Sequence, residues 1–437
     1  AELPKDGSHF DLPIALSILC ISGALNQSDI NDAVFAGELA LDGSLRPIRS
    51  AIITAEVAKN QKIKSVYVPA QNAEQAALVT GVDVFPVENL KSLFLHLKKE
   101  KIIKPIDRSS IKNISRNHKN TPTIDDIYGQ EQAKRAIQIA VAGRHNILLS
   151  GPPGSGKTML AKSLKNLLPT LSEDEIVEVT KLHSLGEHTI INNPIVDRPF
   201  RSPHHTASRA SIIGGGSKVQ PGEISLAHRG VLFLDELLEY PRTILESLRQ
   251  PLEDHEITVS RANGKFNFPA NFLLVATMNP CPCGFLGDPE KTCVCSQNQI
   301  LNYQKRLSGP LLDRIDLTVS VSRVPHEKLL NNKMSTKSQQ DAFLSEIHKA
   351  YSIQRDRYKC SYKYNNDIPS SNVDKITSIS ESAKTFLTNA ARKLDLSTRS
   401  YFKVIKVSRT IADLEGSASI EVPHIAESLQ YRQINIG

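Results

Sequence analysis

Apolar runs that end in polar residues recur through the middle of the chain. Residues 147–149, 230–234 and 272–277 are such runs, and each is expected to form a buried strand. Helical periodicity precedes the first run, at residues 131–142, and follows it, at residues 159–168. This alternation predicts an α/β fold with a parallel sheet, and ligands of such sheets bind at the carboxyl ends of the strands.

Residues 1–96 predict a separate α+β domain. The pattern indicates helices at 14–25 and 51–59, a strand-like run at 34–41 that turns at Asp42 and Gly43, and a short strand at 65–68. The chain starts without Met and in the middle of a pattern. We therefore expect this domain to be N-terminally incomplete.

The region after this domain is strongly basic. Residues 97–122 carry eight basic side chains against two acidic ones and have few large apolar residues. That composition predicts a solvated linker. A basic linker of this kind could also contact nucleic-acid phosphates.

The C-terminal part, residues 326–437, predicts a helical region behind a core at 123–325. Residues 326–380 are polar, and their pattern does not define a fold. Three short helices are expected at 381–394, 398–414 and 422–431. Basic side chains of the middle helix are expected on a solvated face; they are Lys403, Lys406 and Arg409.

A glycine-rich turn joins the first apolar run to the helix that follows it. It consists of Gly151, Pro152, Pro153, Gly154, Ser155, Gly156, Lys157 and Thr158. Strand, glycine-rich turn and helix start are the context of a phosphate-binding loop. The glycines let backbone N–H groups close around phosphate oxygens, and the helix N-terminus adds positive potential. Lys157 would reach the β- and γ-phosphates of ATP, and the Thr158 hydroxyl would bind Mg²⁺.

The other two apolar runs end in side chains that suit the same chemistry. Asp235 and Glu236 follow the run 230–234, and Asn279 follows the run 272–277. Asp235 would hold the Mg²⁺ of the nucleotide, Glu236 would polarise the attacking water, and Asn279 would lie beside the γ-phosphate. A buried strand with an acidic solvent end is the plainer interpretation of Asp235 and Glu236.

Composition adds a limited amount. The net charge is +7 and six cysteines are spread over 437 residues, too few for a disulfide-stabilised scaffold. No apolar run approaches the roughly 20 residues that span a bilayer, and nothing resembles a secretory signal. We expect a cytoplasmic protein without membrane contact.

Four of the cysteines lie close together after Asn279. Cys281, Cys283, Cys293 and Cys295 form two C-x-C pairs in one loop with turn-forming glycines. Thiolates favour Zn²⁺ in closed tetrahedral sites, so we expect a structural zinc ion. The alternative is a reduced loop without metal, since the C-x-C spacing is tighter than usual.

The core resembles the AAA+ ATPases, in particular the magnesium-chelatase-like group. The matching residues are 151–158, Asp235, Glu236, Asn279 and the stretch 308–316. Within that group it looks similar to the ComM-type proteins, through the stretches 198–205, 281–284, 409–414 and 423–426. The resemblance implies a P-loop core with a helical lid, and a bacterial hexameric helicase of DNA branch migration and natural transformation.

The same resemblance assigns two arginines. Arg314 matches the arginine finger, which would act on the nucleotide of the neighbouring subunit. Arg399 matches the second sensor arginine of the lid. The alternative for Arg314 is an ion pair with Asp313 or Asp316 of the same chain.

Residues 1–96 resemble the proteolytic domain of Lon-type proteases. The match lies in residues 4–7, 36–39, 43–47 and 66–69. The family's catalytic serine position holds His9, and its lysine position falls near Ile52. Because a Ser–Lys pair needs both groups within hydrogen-bond reach, we expect a proteolytically inactive domain. Ser8 with another lysine is the alternative.

Basic hairpins are the candidate DNA contacts. Residues 256–268 predict a β-hairpin around Asn263 and Gly264, with Arg261 and Lys265 at its tip. The segment 198–220 carries Arg201 and Lys218. In a ring, such tips could track phosphates without reading bases, whereas the plainer interpretation is a solvated hairpin.

The sequence therefore predicts an ATP-driven DNA translocase or branch-migration helicase that works as a homo-hexamer in homologous recombination. The alternative is a magnesium-chelatase-type motor subunit that remodels a protein partner. An ATP-dependent protease is disfavoured by the missing Ser–Lys pair. DNA-stimulated ATPase activity separates the first two functions.

Overall fold

The computed structural model describes residues 8–107, 121–186, 193–216, 219–261, 264–324, 338–359 and 364–432. They form two units that interleave along the chain. The first unit contains residues 1–117, 170–197 and 216–221, and the second contains 118–169, 198–215 and 222–437. The sequence instead divides the chain into four consecutive segments, and their three boundaries stay a prediction.

The first unit is built on a three-stranded parallel sheet. Its strands are Ala33–Phe35, Ser65–Pro69 and Asp83–Val87, with Ser65–Pro69 in the middle. Tyr67 stacks between Phe35 and Phe85, at 4.8 and 4.7 Å between ring centroids. The other elements are strands Glu38–Leu39, Leu45–Arg46 and Gln220–Pro221, 3-10 turns Ser8–Phe10 and Ala70–Asn72, and helices Asp11–Ile21, Gln27–Ile30, Ala51–Asn60, Ala73–Ala76, Leu90–Leu97 and Glu173–Ser184.

Helix Glu173–Ser184 belongs to the first unit although it follows the phosphate loop in sequence. It begins at a capping box of Ser172 and Glu175. Val177 packs on the apolar core of this unit, and Lys181 Nζ lies 2.6 Å from Glu56 Oε1. These contacts explain why the spatial unit departs from the sequence order.

Five parallel strands form the sheet of the second unit. In spatial order they are Leu317–Ser320, Ile147–Ser150, Leu273–Met278, Val231–Leu234 and Phe200–Arg201. Ile147 lies opposite both Val275 and Leu317. The three predicted apolar runs are thus adjacent central strands, and every residue of Val231–Leu234 and Leu273–Met278 is buried. The predicted α/β fold is confirmed.

The other strands of the second unit are Gly214–Gly215 and the hairpin Glu256–Arg261 with Gly264–Pro269. Its helices are Glu131–Gly143, Lys157–Ser163, Arg209–Ile213, Glu223–Leu226, Arg242–Ser247, Pro251–Asp254, Gln297–Gln304, Gly309–Leu312, Gln339–Tyr358, Val373–Ile376, Glu381–Lys393, Thr398–Leu414 and Val422–Gln430. Its 3-10 turns are Ile124–Asp126, Leu164–Leu167, Leu237–Glu239, Asn365–Asp367 and Ser370–Asn372. The last three helices confirm the predicted helical C-terminal region.

Helix Gln339–Tyr358 lies where the sequence pattern defines no fold. Its buried positions are Gln340, Ile347, Ala350 and Gln354, so half of the buried face is glutamine. Gln354 Nε2 donates to the Ala142 carbonyl at 2.9 Å, which satisfies the buried amide. A face of this composition gives almost no apolar periodicity.

The prediction of a solvated basic face on helix Thr398–Leu414 is wrong for Arg409, which is 1% exposed. Its Nε donates to Asp413 Oδ1 at 3.1 Å, and Arg357 binds the same carboxylate. Lys403 and Lys406 are half-buried and donate to the carbonyls of Ile315 and Asn366. Because each of the three cations has a hydrogen-bond acceptor within the fold, this face can pack on the core.

Among the helices in the described ranges, none is long and apolar enough to cross a membrane.

Candidate nucleotide site and cysteine cluster

The phosphate loop connects strand Ile147–Ser150 to helix Lys157–Ser163. Gly154 and Gly156 have φ of +77° and +89°, a region that favours glycine. A Cβ at Gly151 would lie 2.0 Å from the Val321 carbonyl oxygen, so the loop passes too close to the Val321 backbone for any residue with a side chain. The glycines that predict the loop are therefore required by its backbone.

Lys157 lies across the loop with its side chain buried. Its Nζ donates to the carbonyls of Gly151 at 2.7 Å and Pro152 at 2.8 Å, and to Asn279 Oδ1 at 3.3 Å. Burial lowers the pKa of Lys157, and the charges of Asp235 and Glu236 oppose this shift. The ammonium group and the Asn279 amide thus meet at the carboxyl edge of the sheet.

The acidic side of the site is organised by a residue that sequence reasoning missed. Thr277 is fully buried, and its Oγ1 donates to Asp235 Oδ1 at 2.5 Å. Thr277 Oγ1 also accepts a hydrogen bond from the backbone N–H of Glu236 at 3.0 Å. Thr158 Oγ1 donates to Asp235 Oδ2 at 3.1 Å. The two oxygens expected to bind Mg²⁺ are therefore adjacent, and Thr277 fixes the position of both acidic residues.

Glu236 has a φ of +53°, which is uncommon for a residue with a side chain. This conformation turns the strand sharply after Asp235, and the Glu236 side chain is exposed. The N–H of Glu236 is bound to Thr277, which stabilises the turn. A carboxylate presented in this way can accept a proton from water at the edge of the sheet.

A cavity of about 330 Å³ opens beside the phosphate loop. Loop residues 153–156 form one side, and Ile127, Tyr128 and Met159 add largely apolar surface. Glu290 and Arg323 line it as well. A volume and lining of this kind suit a small organic ligand such as a nucleoside.

Arg314 and Arg399 form a second group. Both bind Glu253, at the end of helix Pro251–Asp254: Arg314 through Nη2, and Arg399 Nη2 at 3.5 Å. The hydrogen bond from Arg314 lowers the pKa of the Glu253 carboxyl. Within the ranges that the structure describes, no hydrogen bond or ion pair joins this group to the phosphate loop. The ion pair of Arg314 is thus made with Glu253, not with Asp313 or Asp316.

The four cysteines of the loop converge. Their Sγ atoms lie within 4.8 Å of one another, with 3.4 Å between Cys281 and Cys283 and 3.6 Å from each of these to Cys293. Tetrahedral Zn²⁺ with Zn–S bonds of about 2.3 Å requires sulfur separations of roughly 3.8 Å. N–H groups of Phe285 and Val294 lower the pKa of Cys283 to about 6, which favours its thiolate, whereas the pKa values of the other three thiols are raised. The donor set fits a closed structural zinc site.

The predicted basic hairpin is present. Strands Glu256–Arg261 and Gly264–Pro269 pair antiparallel with Arg261 opposite Gly264 and Lys265 opposite Ser260. Lys265 is exposed, and Phe266 is 40% exposed next to it. Asn263 lies outside the described residues, as does Lys218, and only the backbone of Arg261 is described.

Arg201 is placed differently from Lys265. Its Nε and Nη2 both lie 2.6 Å from the Glu223 carboxylate, in a bidentate pair. Such a pair occupies the guanidinium and disfavours Arg201 as a DNA contact.

In the first unit, Ile52 at the Lon lysine position is fully buried among apolar residues. That position supplies no amine for catalysis.

Comparisons with known proteins cover the chain from end to end. Family profiles described as "Magnesium chelatase, subunit ChlI", "Magnesium chelatase, subunit ChlI C-terminal" and "Subunit ChlI of Mg-chelatase" match residues 123–329, 337–432 and 1–72. Competence protein ComM of Haemophilus influenzae is 42% identical over 436 residues, which are 99% of this chain and 84% of that protein.

Two further relatives show how far the similarity extends. Uncharacterized protein YifB of Escherichia coli is 37% identical over all of this chain and 84% of its own length. The Magnesium-chelatase 67 kDa subunit of Heliobacterium mobile is 27% identical over 38% of this chain and 29% of its own length. Family membership implies ATPase activity with ATP and Mg²⁺. The chain belongs to the ComM-type, magnesium-chelatase-like family of AAA+ ATPases.

Proposed function

We propose that this protein is an ATP-driven DNA translocase that promotes branch migration as a homo-hexamer. The ATPase part rests on one observation: Lys157, Thr158, Asp235, Glu236 and Asn279 meet at the carboxyl edge of the parallel sheet. The DNA part is supported by the similarity over 99% of this chain to a protein named for competence, and by the exposed basic hairpin.

The roles of the site residues follow from their positions. Lys157 would exchange its bonds to the loop carbonyls for the β- and γ-phosphates. Thr158 Oγ1 and Asp235 Oδ2 lie 3.1 Å apart, and these two residues would hold Mg²⁺, which neutralises charge on the phosphates when it is bound. Glu236 would accept the proton of the attacking water, and Asn279 would orient that water next to Lys157.

The arginines support the proposal of a ring. Arg314 and Arg399 share Glu253 and form a group separate from the chain's own phosphate loop. Arg314 would exchange its bond to Glu253 for the nucleotide of a neighbouring subunit, as the resemblance to the AAA+ ATPases implies. There the charge of Arg314 would stabilise the transition state. This arrangement supports a closed homo-oligomer, in which the hexamer is the expected form.

DNA contact is assigned to the hairpin tip. Lys265 is exposed and next to the half-exposed Phe266, whereas Arg201 is paired with Glu223. A lysine at a tip binds phosphates without reading bases, so binding would depend strongly on salt and weakly on sequence. We further propose that Cys281, Cys283, Cys293 and Cys295 hold one structural Zn²⁺, which suits a reducing cytoplasm.

A chelatase-type motor is the second candidate, because the three matching family profiles describe magnesium-chelatase subunits. The named magnesium-chelatase relative covers only 38% of this chain, whereas ComM covers 99%. The contrast in coverage favours the DNA function. A chelatase motor would hydrolyse ATP in response to a protein partner and not to DNA.

The test measures ATP hydrolysis with and without branched DNA over a range of salt concentrations. We expect DNA to stimulate hydrolysis, Lys265→Ala to reduce the stimulation and leave the basal rate unchanged, and Lys349→Ala to behave as the unmodified protein. Lys349 is an exposed lysine on helix Gln339–Tyr358 and serves as the matched control. If DNA neither binds at low salt nor changes the rate, the chelatase-type function is favoured.

A further inference from the structure

The loop that carries the cysteines, residues 281–295, is connected to the phosphate loop at three places, once directly and twice through residues outside it. We call it the cysteine loop. The first connection is Asn279, which stands two residues before Cys281 and accepts a hydrogen bond from Lys157 at 3.3 Å. The Cys281 side chain is fully buried, so this end of the loop is fixed in the core.

The second contact is a close approach of the Gly284 backbone to the Pro153 side chain. Gly284 has a φ of +83°, and a Cβ at this position would lie 2.6 Å from Pro153 Cδ. Gly284 directly follows Cys283, whose Sγ is 3.4 Å from that of Cys281. The cysteines thus hold the segment that lies against the phosphate loop.

The third contact is made by Arg323, which follows the edge strand Leu317–Ser320. Its Nη2 donates to the Pro153 carbonyl at 3.2 Å, while Nε lies 3.2 Å from Asp288 Oδ2 and Nη1 lies 3.4 Å from Glu290 Oε2. Its guanidinium carbon is 5.5 Å from the Phe285 ring centroid. One side chain therefore ties the cysteine loop to the phosphate loop.

Glu290 and Arg323 also line the cavity of about 330 Å³ beside the phosphate loop. We propose that the metal-loaded cysteine loop is a wall of the nucleotide pocket, positioned by Arg323, so that metal occupancy sets the affinity for nucleotide. This inference rests on the proposed ATPase function and its zinc site. Four thiolates around one ion hold the two C-x-C pairs together, and loss of the ion frees the Gly284 and Glu290 segments from Pro153 and Arg323.

The experiment compares nucleotide affinity and metal content in the same preparations. Affinity is measured by titration with a fluorescent N-methylanthraniloyl derivative of ATP, and metal by elemental analysis. The variants are Arg323→Ala, Arg323→Lys, Cys293→Ser with Cys295→Ser, and the combination of Arg323→Ala with both serine changes. Controls are Arg355→Ala, which removes an exposed arginine, and Cys20→Ser, which removes a cysteine of the first unit.

Arg323→Ala should keep the metal and weaken nucleotide binding about tenfold, because charge-assisted contacts to Pro153, Asp288 and Glu290 are lost. The serine variant should lose the metal and weaken binding by a similar factor. The combined variant should bind no more weakly than the serine variant, since both changes release the same wall. Arg323→Lys should recover part of the affinity, and the controls should bind as the unmodified protein.

Several outcomes would overturn the inference and leave the ATPase proposal standing. They are an unmodified protein that binds nucleotide but no metal, a metal-free variant of unchanged nucleotide affinity, and fully additive losses in the combined variant. An unmodified protein that binds no nucleotide would instead contradict the proposed function itself. If the serine variant does not fold, the metal-loaded Arg323→Ala variant decides the matter, because unchanged affinity there excludes the wall.

Discussion

Thr277→Val removes a single hydroxyl from the acidic side of the nucleotide site and keeps the size of a fully buried side chain. The hydroxyl donates to Asp235 at 2.5 Å and accepts from the Glu236 N–H at 3.0 Å. Both acidic residues lose a bond through one change. The Glu236 N–H is then left without an acceptor at a backbone position of φ +53°.

The magnitudes follow from these two bonds. A hydrogen bond to a charged group contributes about 1.5–3 kcal/mol, and a hydrogen bond between neutral groups contributes about 0.5–1.5 kcal/mol. Because the added methyl group recovers part of this, we expect the free energy of unfolding to fall by about 2–4 kcal/mol. Residues that orient metal ligands typically change activity by about 10–100-fold, and we expect a loss of kcat in that range.

The assay combines steady-state ATP hydrolysis with denaturant unfolding of Thr277→Val and Thr277→Ser. The serine variant keeps the hydroxyl and should retain most of kcat, although it loses a buried methyl group. A valine variant with the kcat of the unmodified protein would refute the positioning role of Thr277. Equal losses of kcat in both variants would show that the methyl group matters and the hydroxyl does not.

Three further predictions concern stability and the ring. Asp413→Asn should lower the free energy of unfolding by about 3–5 kcal/mol, because Arg357 and Arg409 lose a buried partner; Asp356→Asn is the exposed control, and equal denaturation curves would contradict the reasoning. Burial lowers the pKa of His145 to about 4, so the unfolded chain binds a proton that the folded chain rejects. Stability should therefore fall as pH drops from about 6.5 to 4, by up to about 3 kcal/mol, and His145→Gln should flatten this dependence in denaturant titrations across that window. Mixing Arg314→Ala with Lys157→Ala subunits should restore part of the ATP hydrolysis that each lacks, whereas no recovery at any ratio would contradict action on a neighbour's nucleotide.

The geometry of the candidate nucleotide site was predictable because its residues directly follow strands that the sequence pattern shows. Asp235 and Glu236 directly follow one apolar run, and Asn279 follows another. The buried strand and its polar end can therefore both be recognised within a few positions of sequence. The phosphate loop is similar, since Gly154 and Gly156 are required by the turn that they form. Parallel pairing then brings these ends to one edge, where Lys157 meets Asn279.

The sequence pattern does not predict elements that are buried through hydrogen bonds to residues distant in sequence. Helix Gln339–Tyr358 buries two glutamines, and the amide of Gln354 is satisfied by Ala142 on another helix. Arg409 resembles an exposed cation in sequence, yet its partners Asp413 and Arg357 make a buried network. Periodicity measures how apolar a face is, so it does not detect a face that is buried through hydrogen bonds.

The same distinction separates the residues that react from those that position them. Thr277, Glu253 and Arg323 have no motif of their own, because each acts through a segment distant in sequence. Arg314 reaches Glu253 across 61 positions, and Arg323 reaches Pro153 across 170. Such contacts form only when the strands of the sheet are in place. The sequence therefore predicts the candidate reactive groups, and the fold determines which residues position them. The cysteine loop belongs to both classes: the convergence of its cysteines was predictable from their spacing, whereas its place beside the phosphate loop depends on Arg323.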